Sequence, residues 1–279
     1  MKYFTAENLP AYKDFKYWFI YRDHKWVPVT KYAQGIIDDT QLDATVEEAI
    51  ADDLTKFKHR PESLIGLTCD EIYRRGITDI VEIYETLIVG LMLTRWKLNH
   101  PNEDPDTYLP TAMRCLEWLR NTDFYEAPGS SMYHDSVIHG LLNHSLNVLN
   151  RGLDLLSCNA FSAVDVASFE LCALCHDWCK IGLYEVYQKN VKDEHTGKWT
   201  SQNAYRTNQT GIPLGHGASS MFLADRFFRL KADEALAIRW HMGHWRVCDS
   251  EVNELQKANE EYPLVHLLQF ADQLAIVKY

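Results

Sequence analysis

The feature that most constrains the fold of this chain is an apolar segment that ends in two adjacent polar residues, His176 and Asp177. The segment begins at Leu171, and every residue between it and the pair is aliphatic or cysteine. Such a run predicts a buried helix, here Val164–Lys180, that ends at a polar site. Imidazole and carboxylate are both metal ligands, and Lys180 adds a positive charge nearby. One His-Asp pair alone is a weak signal of a metal site. Such a site needs further ligands, and they must come from other segments of the chain.

Length and charge bound the classes of protein to be considered. A chain of 279 residues can bury a substantial core, as one large domain or two small ones. The net charge is −11, and no run of Lys and Arg is present. This composition argues against a processive nucleic-acid-binding protein, because long-range attraction to a phosphate backbone is missing. A small anionic substrate at a metal or a local positive site is compatible with it.

The sequence predicts a cytoplasmic protein with no membrane partner. The stretch Met1–Glu7 has no apolar signal region, and the longest apolar run, Leu87–Leu93, is about a third of a membrane span. In that compartment the seven cysteines are predicted to stay thiols, mostly buried ones.

Two of these cysteines offer a false lead towards haem. Cys172, Cys175 and His176 match the Cys-x-x-Cys-His pattern of covalent haem attachment. That chemistry needs an exported protein and an accessible loop, which an apolar helix does not provide. Cys172, Cys175 and Cys179 also stand at i, i+3 and i+7, the spacing of a buried helix face.

Apolar periodicity along the rest of the chain predicts a mainly α fold. One helix is predicted to start at Asp43 and another near Thr78. The others are Cys69–Arg75, Ala112–Leu119, Ser136–Gly152, Gly217–Leu230, Ala232–His241 and Pro263–Lys278.

Two segments have strand-like patterns, and one marks a boundary. Tyr184–Tyr205 is predicted to form a β-hairpin that turns at Thr196-Gly197. Val27–Thr30 is either a short strand or part of an arm that packs on the body. Turn residues crowd Asn99–Asp106, which we take as the boundary between region 1–110 and region 111–279.

Four further ligand candidates stand among apolar neighbours in other predicted elements. His144 lies inside a helix, His216 opens one, His241 ends one, and Asp272 lies on the last helix. Imidazole and carboxylate ligands together suit Fe, Mn, Co, Ni or Zn.

The order of these residues resembles the HD-domain metal-dependent phosphohydrolase superfamily. In that family a His on one helix, a His-Asp pair on a later helix and an Asp on a late helix bind the metal, matching His144, His176-Asp177 and Asp272. Tyr133-His134 leading into Gly140–Leu146 is similar to the corresponding segment of bacterial HD-type 3′–5′ exoribonucleases. The flanks resemble an HD-domain hydrolase family of Firmicutes and their phages; they are Trp118–Pro128, Asn190–Trp199, Leu214–Gly217 and Ile238–Gly243.

The resemblance covers residues 111–279 and implies an HD-domain helical bundle with a small β-hairpin insertion and a helical N-terminal extension. It implies one or two divalent transition-metal ions. His216 and His241 then occupy the positions that bind the second ion, and Asp177 can bridge the two. Relatives with two metals often carry consecutive His where this chain has His241-Met242, so a third ion is not expected.

Asp177 and Lys180 are the catalytic candidates: Lys180 follows the pair by three residues and either neutralises a phosphate near the metals or is a solvated cation at the helix end. For substrate binding, His134, Arg239 and His244 are the candidates. Each has an alternative role: a turn or capping residue for His134, a partner of a surface acid for Arg239, and support of the ligands for His244. His139 stands where related sequences often have Gly.

The expected function is a phosphohydrolase that uses metal-activated water to cleave a phosphomonoester or phosphodiester in a nucleotide or short oligonucleotide. Two other classes stay open. The same four His and two Asp serve in di-iron oxygenases related to myo-inositol oxygenase. A non-catalytic nucleotide-binding regulatory module is the third, although a scaffold has no need of a complete ligand set.

Overall fold

The computed structural model describes residues 19–22, 25–28, 61–132, 135–159, 161–192, 196–208, 214–245 and 247–277. This part of the chain is mainly helical, as predicted. Its helices are α1 Cys69–Arg74, α2 Ile80–Asn99, α3 Leu109–Arg120, α4 Gly140–Ser157, α5 Val166–Cys175, α6 His216–Phe228, α7 Ala232–Trp240, α8 Val252–Glu261 and α9 Pro263–Ala275. Short 3-10 turns occupy Pro61–Ser63, Pro105–Thr107 and Trp178–Lys180.

Two antiparallel hairpins accompany the helices. Strands β3, Tyr184–Lys192, and β4, Trp199–Thr207, pair along their whole length, which confirms the predicted hairpin. Gly197 in the turn has a φ of 68°, a conformation that favours glycine. Strands β1, Phe19–Arg22, and β2, Lys25–Pro28, form a separate pair, so the strand alternative for Val27–Thr30 holds for its first two residues.

Backbone geometry explains why several helices are shorter than predicted. Helix α4 begins at Gly140 instead of Ser136, since Asp135 and His139 adopt positive φ values of 50° and 65°. Helix α5 ends at Cys175, and the chain turns away at Asp177, which has φ −109° and ψ 17°. The prediction of one helix through Lys180 was therefore wrong at its C-terminal end.

Helix α8 was missed because its sequence is almost entirely polar. Only Leu255 and Ala258 are buried in it. The predicted helix from Asp43 lies outside the described residues.

Helix α5 lies at the centre of the core, and its residues from Ser168 to Cys175 are all buried. Asp165 caps its start by accepting the Ser168 N–H at 3.3 Å. Helices α4, α7 and α9 pack around it. Gly152 of α4 allows the closest approach, because a Cβ atom there would come within 1.8 Å of the Phe169 ring. These contacts fix the position at which α5 ends.

Helix α2 belongs to the same core as the helices that follow it. It packs against α3, α4 and α5, and one buried apolar cluster extends from Leu64 to Ala271. The Tyr84 hydroxyl of α2 donates to the Leu174 carbonyl at 2.7 Å and accepts from Trp178 Nε1 at 2.9 Å. The division of the chain at residue 110 stays a prediction. Within the described ranges, no helix combines the length and apolar character that crossing a membrane requires.

Candidate metal centre

The six predicted ligands come together from five helices. His144 lies in the middle of α4, and His176 and Asp177 lie directly after α5. His216 is the first residue of α6, His241 follows the last residue of α7, and Asp272 lies on α9. Helix ends therefore supply four of the six side chains. The α4, α5, α7 and α9 packing brings them to one point.

Asp177 is at the centre of the group. Its Oδ1 is 2.8 Å from His216 Nε2 and 3.5 Å from His241 Nε2. Its Oδ2 is 3.4 Å from Nε2 of both His144 and His176. One carboxylate thus faces two imidazoles with each oxygen, which is the arrangement that a bridging ligand needs.

Asp272 closes the group from the side of α9. Its Oδ1 is 3.0 Å from His144 Nε2 and 3.9 Å from His176 Nε2. The two imidazole nitrogens are themselves 3.3 Å apart. Three overlapping triads have ligand atoms that all lie within 4.8 Å of one another: His144, His176 and Asp177; His176, His241 and Asp272; and Asp177, His216 and His241.

Backbone contacts set the tautomers of two of these histidines. His176 Nδ1 is 2.8 Å from the Ala173 carbonyl, and His241 Nδ1 is 2.7 Å from the Ile238 carbonyl. A carbonyl oxygen only accepts hydrogen bonds, so the proton is on Nδ1 and the Nε2 lone pair points into the cluster. Lone pairs and carboxylate oxygens that point to one place fit a divalent cation, and buried His/Asp groups here can hold one.

Neighbouring groups lower the pKa of both carboxylates, of which Asp177 is buried and Asp272 half-buried. His144, His176 and Asp177 are 1%, 0% and 2% exposed. Burial alone would raise the pKa of Asp177, but the Lys180 ammonium at 2.6 Å and the neighbouring imidazoles hold it well below its usual range. Burial opposes ionisation of Asp272 too, and hydrogen bonding from His144 lowers its pKa nonetheless.

Lys180 forms an ion pair with Asp177 inside the protein. It lies on the 3-10 turn after α5 and is 8% exposed. Burial would lower the pKa of its ammonium, yet the Asp177 carboxylate raises it above the ordinary value. The structure thus places a cation at the predicted position, with its Nζ on the central ligand.

His216 differs from the other histidines in its second contact. Its Nδ1 is 3.2 Å from Cys179 Sγ, a thiol instead of a carbonyl. Burial lowers the pKa of His216, although the Asp177 carboxylate opposes that shift. A neutral imidazole is the form that binds metals. Among the other cysteines, Cys115, Cys172 and Cys175 are buried free thiols.

The predicted substrate-binding residues have different positions. His134 lies outside the described residues. Arg239 on α7 is 3.3 Å from Glu251 and 3.4 Å from Glu254, and its guanidinium stacks over the Trp240 ring. His244 is exposed in the turn after α7. The structure therefore brings neither described residue of this set into contact with the six ligands.

Two positioning residues were missed from the sequence. Asp135 Oδ2 is 3.9 Å from His144 Nδ1, on the side away from the cluster. Gly217 allows α6 to approach α7, since a Cβ atom there would lie 2.0 Å from the Arg239 carbonyl oxygen. That contact brings the start of α6 and the end of α7 together, and with them His216 and His241. The Gly-His-Gly sequence at 215–217 was a signal for such an approach.

A cavity of about 650 Å³ lies next to these residues and also had no sequence signal. Its described lining comes from the loop 123–128, from Ile138 and His139, and from the base of the β3–β4 hairpin. Residues so far apart in the chain meet only in the folded protein. Asp123 in its wall is buried, which raises the pKa of its carboxyl to about 6.

Comparison of the chain with protein-family models, with curated proteins and with solved structures gives no match. Membership of the HD superfamily therefore stays a prediction that depends on the ligand order and the flanking motifs.

Proposed function

We propose that the protein is a metal-dependent hydrolase of the HD type. Within that class, it cleaves a phosphoester bond in a nucleotide or short oligonucleotide. The observation that supports this most is the convergence of four imidazoles on the ionised carboxylate of Asp177, with the Lys180 ammonium on the same carboxylate.

The donor set would divide between two divalent ions. His144, His176 and Asp272 surround one side of Asp177, while His216 and His241 surround the other. Such ions supply Lewis-acid stabilisation of phosphate oxygens and lower the pKa of a bound water. Nitrogen and carboxylate ligands suit Fe, Mn, Co, Ni or Zn.

The remaining groups of the site orient the candidate ligands and the substrate. The Ala173 and Ile238 carbonyls hold His176 and His241 in the tautomer that leaves Nε2 without a proton. Lys180 balances the charge of Asp177. With metal ions bound to the same carboxylate, the Lys180 ammonium would be available to a phosphate oxygen of the substrate. Burial of His144, His176, Asp177 and His241 keeps bulk water away from these side chains, which strengthens their electrostatic interactions.

Metal analysis combined with a hydrolysis assay tests this proposal. The purified protein is expected to contain Fe, Mn, Co, Ni or Zn and to release phosphate or a mononucleotide from a panel of phosphomonoesters and phosphodiesters. Asp177→Ala is expected to lose metal and at least ~10³-fold in kcat, because it removes the ligand shared by both ions. The matched control is Asp154→Ala, which removes an exposed carboxylate of α4.

Two results would contradict the proposal. Full hydrolysis by Asp177→Ala would exclude the metal mechanism. Oxygen uptake with a mixed-valent iron signal, in protein that hydrolyses none of the panel, would assign the same ligands to a di-iron oxygenase.

A further inference from the structure

A cavity near the candidate metal centre is lined by residues that the proposed hydrolysis does not use. Its volume of about 650 Å³ is within the range of pockets that bind small organic ligands. None of the six ligands lines it. Its walls are the loop 123–128, the residues just before α4 and the hairpin base.

Three connections place this cavity next to Lys180 and His144. The N–H of Gly182, two residues after Lys180, donates to Asp123 Oδ1 at 2.7 Å. Tyr184 in the wall lies close enough to Lys180 to act electrostatically on its ammonium. His139 in the wall precedes His144 by five residues, about 7 Å along a helix axis. These contacts place the cavity walls within a few residues of Lys180 and His144.

The chemistry of the wall fits an uncharged aromatic group that carries hydrogen-bond donors. Tyr184 and Tyr205 offer aromatic rings, and the Asn203 amide offers its NH₂ group as a donor, while its Oδ1 accepts from Gln188 Nε2 at 2.6 Å. Asp123 and Glu126 add carboxylates, which accept from hydroxyl and amino groups. Among the described residues that line the cavity there is no Lys or Arg. A second phosphate would be repelled there.

We propose that this cavity binds the nucleoside part of a phosphorylated substrate whose phosphate lies at the metal centre, and that Asn203 and Tyr205 determine which nucleoside is accepted. This inference rests on the proposed phosphohydrolase function. Asn203 and Tyr205 alternate along β4, so both face the cavity, whereas Gln202 between Ser201 and Asn203 does not line it. The hairpin thus acts as a specificity element, and nucleoside monophosphates are preferred over triphosphates.

Two substrates that differ in the nucleoside part test the proposal in the full chain. Turnover is measured with p-nitrophenyl phosphate, which has no nucleoside, and with the four common nucleoside 5′-monophosphates. In Tyr205→Ala and Asn203→Ala, the loss of kcat/KM for the preferred nucleotide should exceed the loss for p-nitrophenyl phosphate by about tenfold, mainly through KM. Gln202→Ala, an exposed neighbour on the same strand, should change neither. Equal losses for both substrates would overturn the proposal.

A binding measurement separates this inference from the proposed function. If the wild-type protein hydrolyses neither substrate with any of the five metals, the phosphohydrolase proposal fails. Calorimetry with adenosine, guanosine, cytidine and uridine then decides the cavity assignment. Binding that Tyr205→Ala abolishes and Gln202→Ala retains supports a nucleoside site. The absence of binding of all four at about 1 mM overturns it.

Discussion

At the scale of single residues, the position of Lys180 limits its side chain to two specific roles. An ammonium buried beside a carboxylate at 2.6 Å either positions that carboxylate or binds the anionic group of a substrate. If it serves the substrate, Lys180→Met should lower kcat/KM for the phosphoester by at least about tenfold, with the bound metal content unchanged. Elemental analysis and steady-state kinetics of the same preparation measure both. Loss of metal in Lys180→Met would show instead that the ammonium positions Asp177.

The convergence of the six candidate ligands could be predicted from the sequence, because each is a polar residue among apolar neighbours and their order resembles that of a known ligand set. Gly217 and Asp135 could not be assigned in the same way. Their effect depends on the Arg239 carbonyl and the His144 ring, which come close only after the helices pack. The same is true of Arg239, since its partners Glu251 and Glu254 lie on or beside a helix that periodicity did not reveal.

At the scale of elements, the buried polar contacts explain how α5 and α7 keep their alignment. Glu234 of α7 is fully buried and accepts from Arg95 Nη1 at 2.5 Å and from Ser168 Oγ at 2.7 Å. It therefore joins α2, α5 and α7 at one carboxylate. A buried charge that is fully paired in this way orients helices more than it stabilises them. The sequence marks Glu234 only as a charged residue near a helix start.

The single acidic residue of α5 gives this element a pH dependence. Burial, with the nearby Asp165 carboxylate, raises the pKa of Glu170 from 4.5 to about 7. The folded protein thus binds this proton more tightly than the unfolded chain does. The stability that the proton contributes is complete below about pH 4.5 and is lost as pH rises to about 7, up to ~3 kcal/mol.

Glu170→Gln should remove this dependence. At pH 8 the variant is expected to be more stable than the wild-type protein by about 1–3 kcal/mol, and at pH 4.5 the two should be nearly equal. Urea unfolding at both pH values measures the difference. Glu260→Gln, at an exposed position of α8, is the control and should show the same small difference at both. A Glu170→Gln effect that does not change with pH would contradict the assignment.

At the scale of the whole molecule, the region before residue 111 contacts residues that flank the candidate metal centre. Tyr84 hydrogen-bonds to Leu174 and Trp178, on either side of His176 and Asp177. The family resemblance begins only after this region, and one buried apolar cluster includes residues on both sides of the predicted boundary. Turn residues at Asn99–Asp106 mark a loop, but they carry no information about whether the flanking helices share a core.

Residues 111–279 alone are accordingly expected not to unfold cooperatively. Losing α2 uncovers apolar surface of α3, α4 and α5, and each large core side chain contributes about 1.5–3 kcal/mol against a total stability of about 5–15 kcal/mol. Circular dichroism during urea titration, compared with the full chain, measures this. Tyr84→Phe is the milder variant, with an expected cost of about 1–3 kcal/mol. A stable, metal-binding 111–279 fragment would contradict the shared core.

The positions of His176 and His241 directly after α5 and α7 have an electrostatic consequence. A helix carries a partial negative charge at its C-terminus, and two such ends meet at the candidate metal centre, where the N-terminus of α6 brings one partial positive charge. Each favours a nearby cation by about 0.3–1 kcal/mol before any ligand atom is counted. The backbone would therefore contribute to the affinity for a metal ion together with the side chains. Grafting the six ligands onto helices that run the other way would reproduce the donor set and would reverse this field.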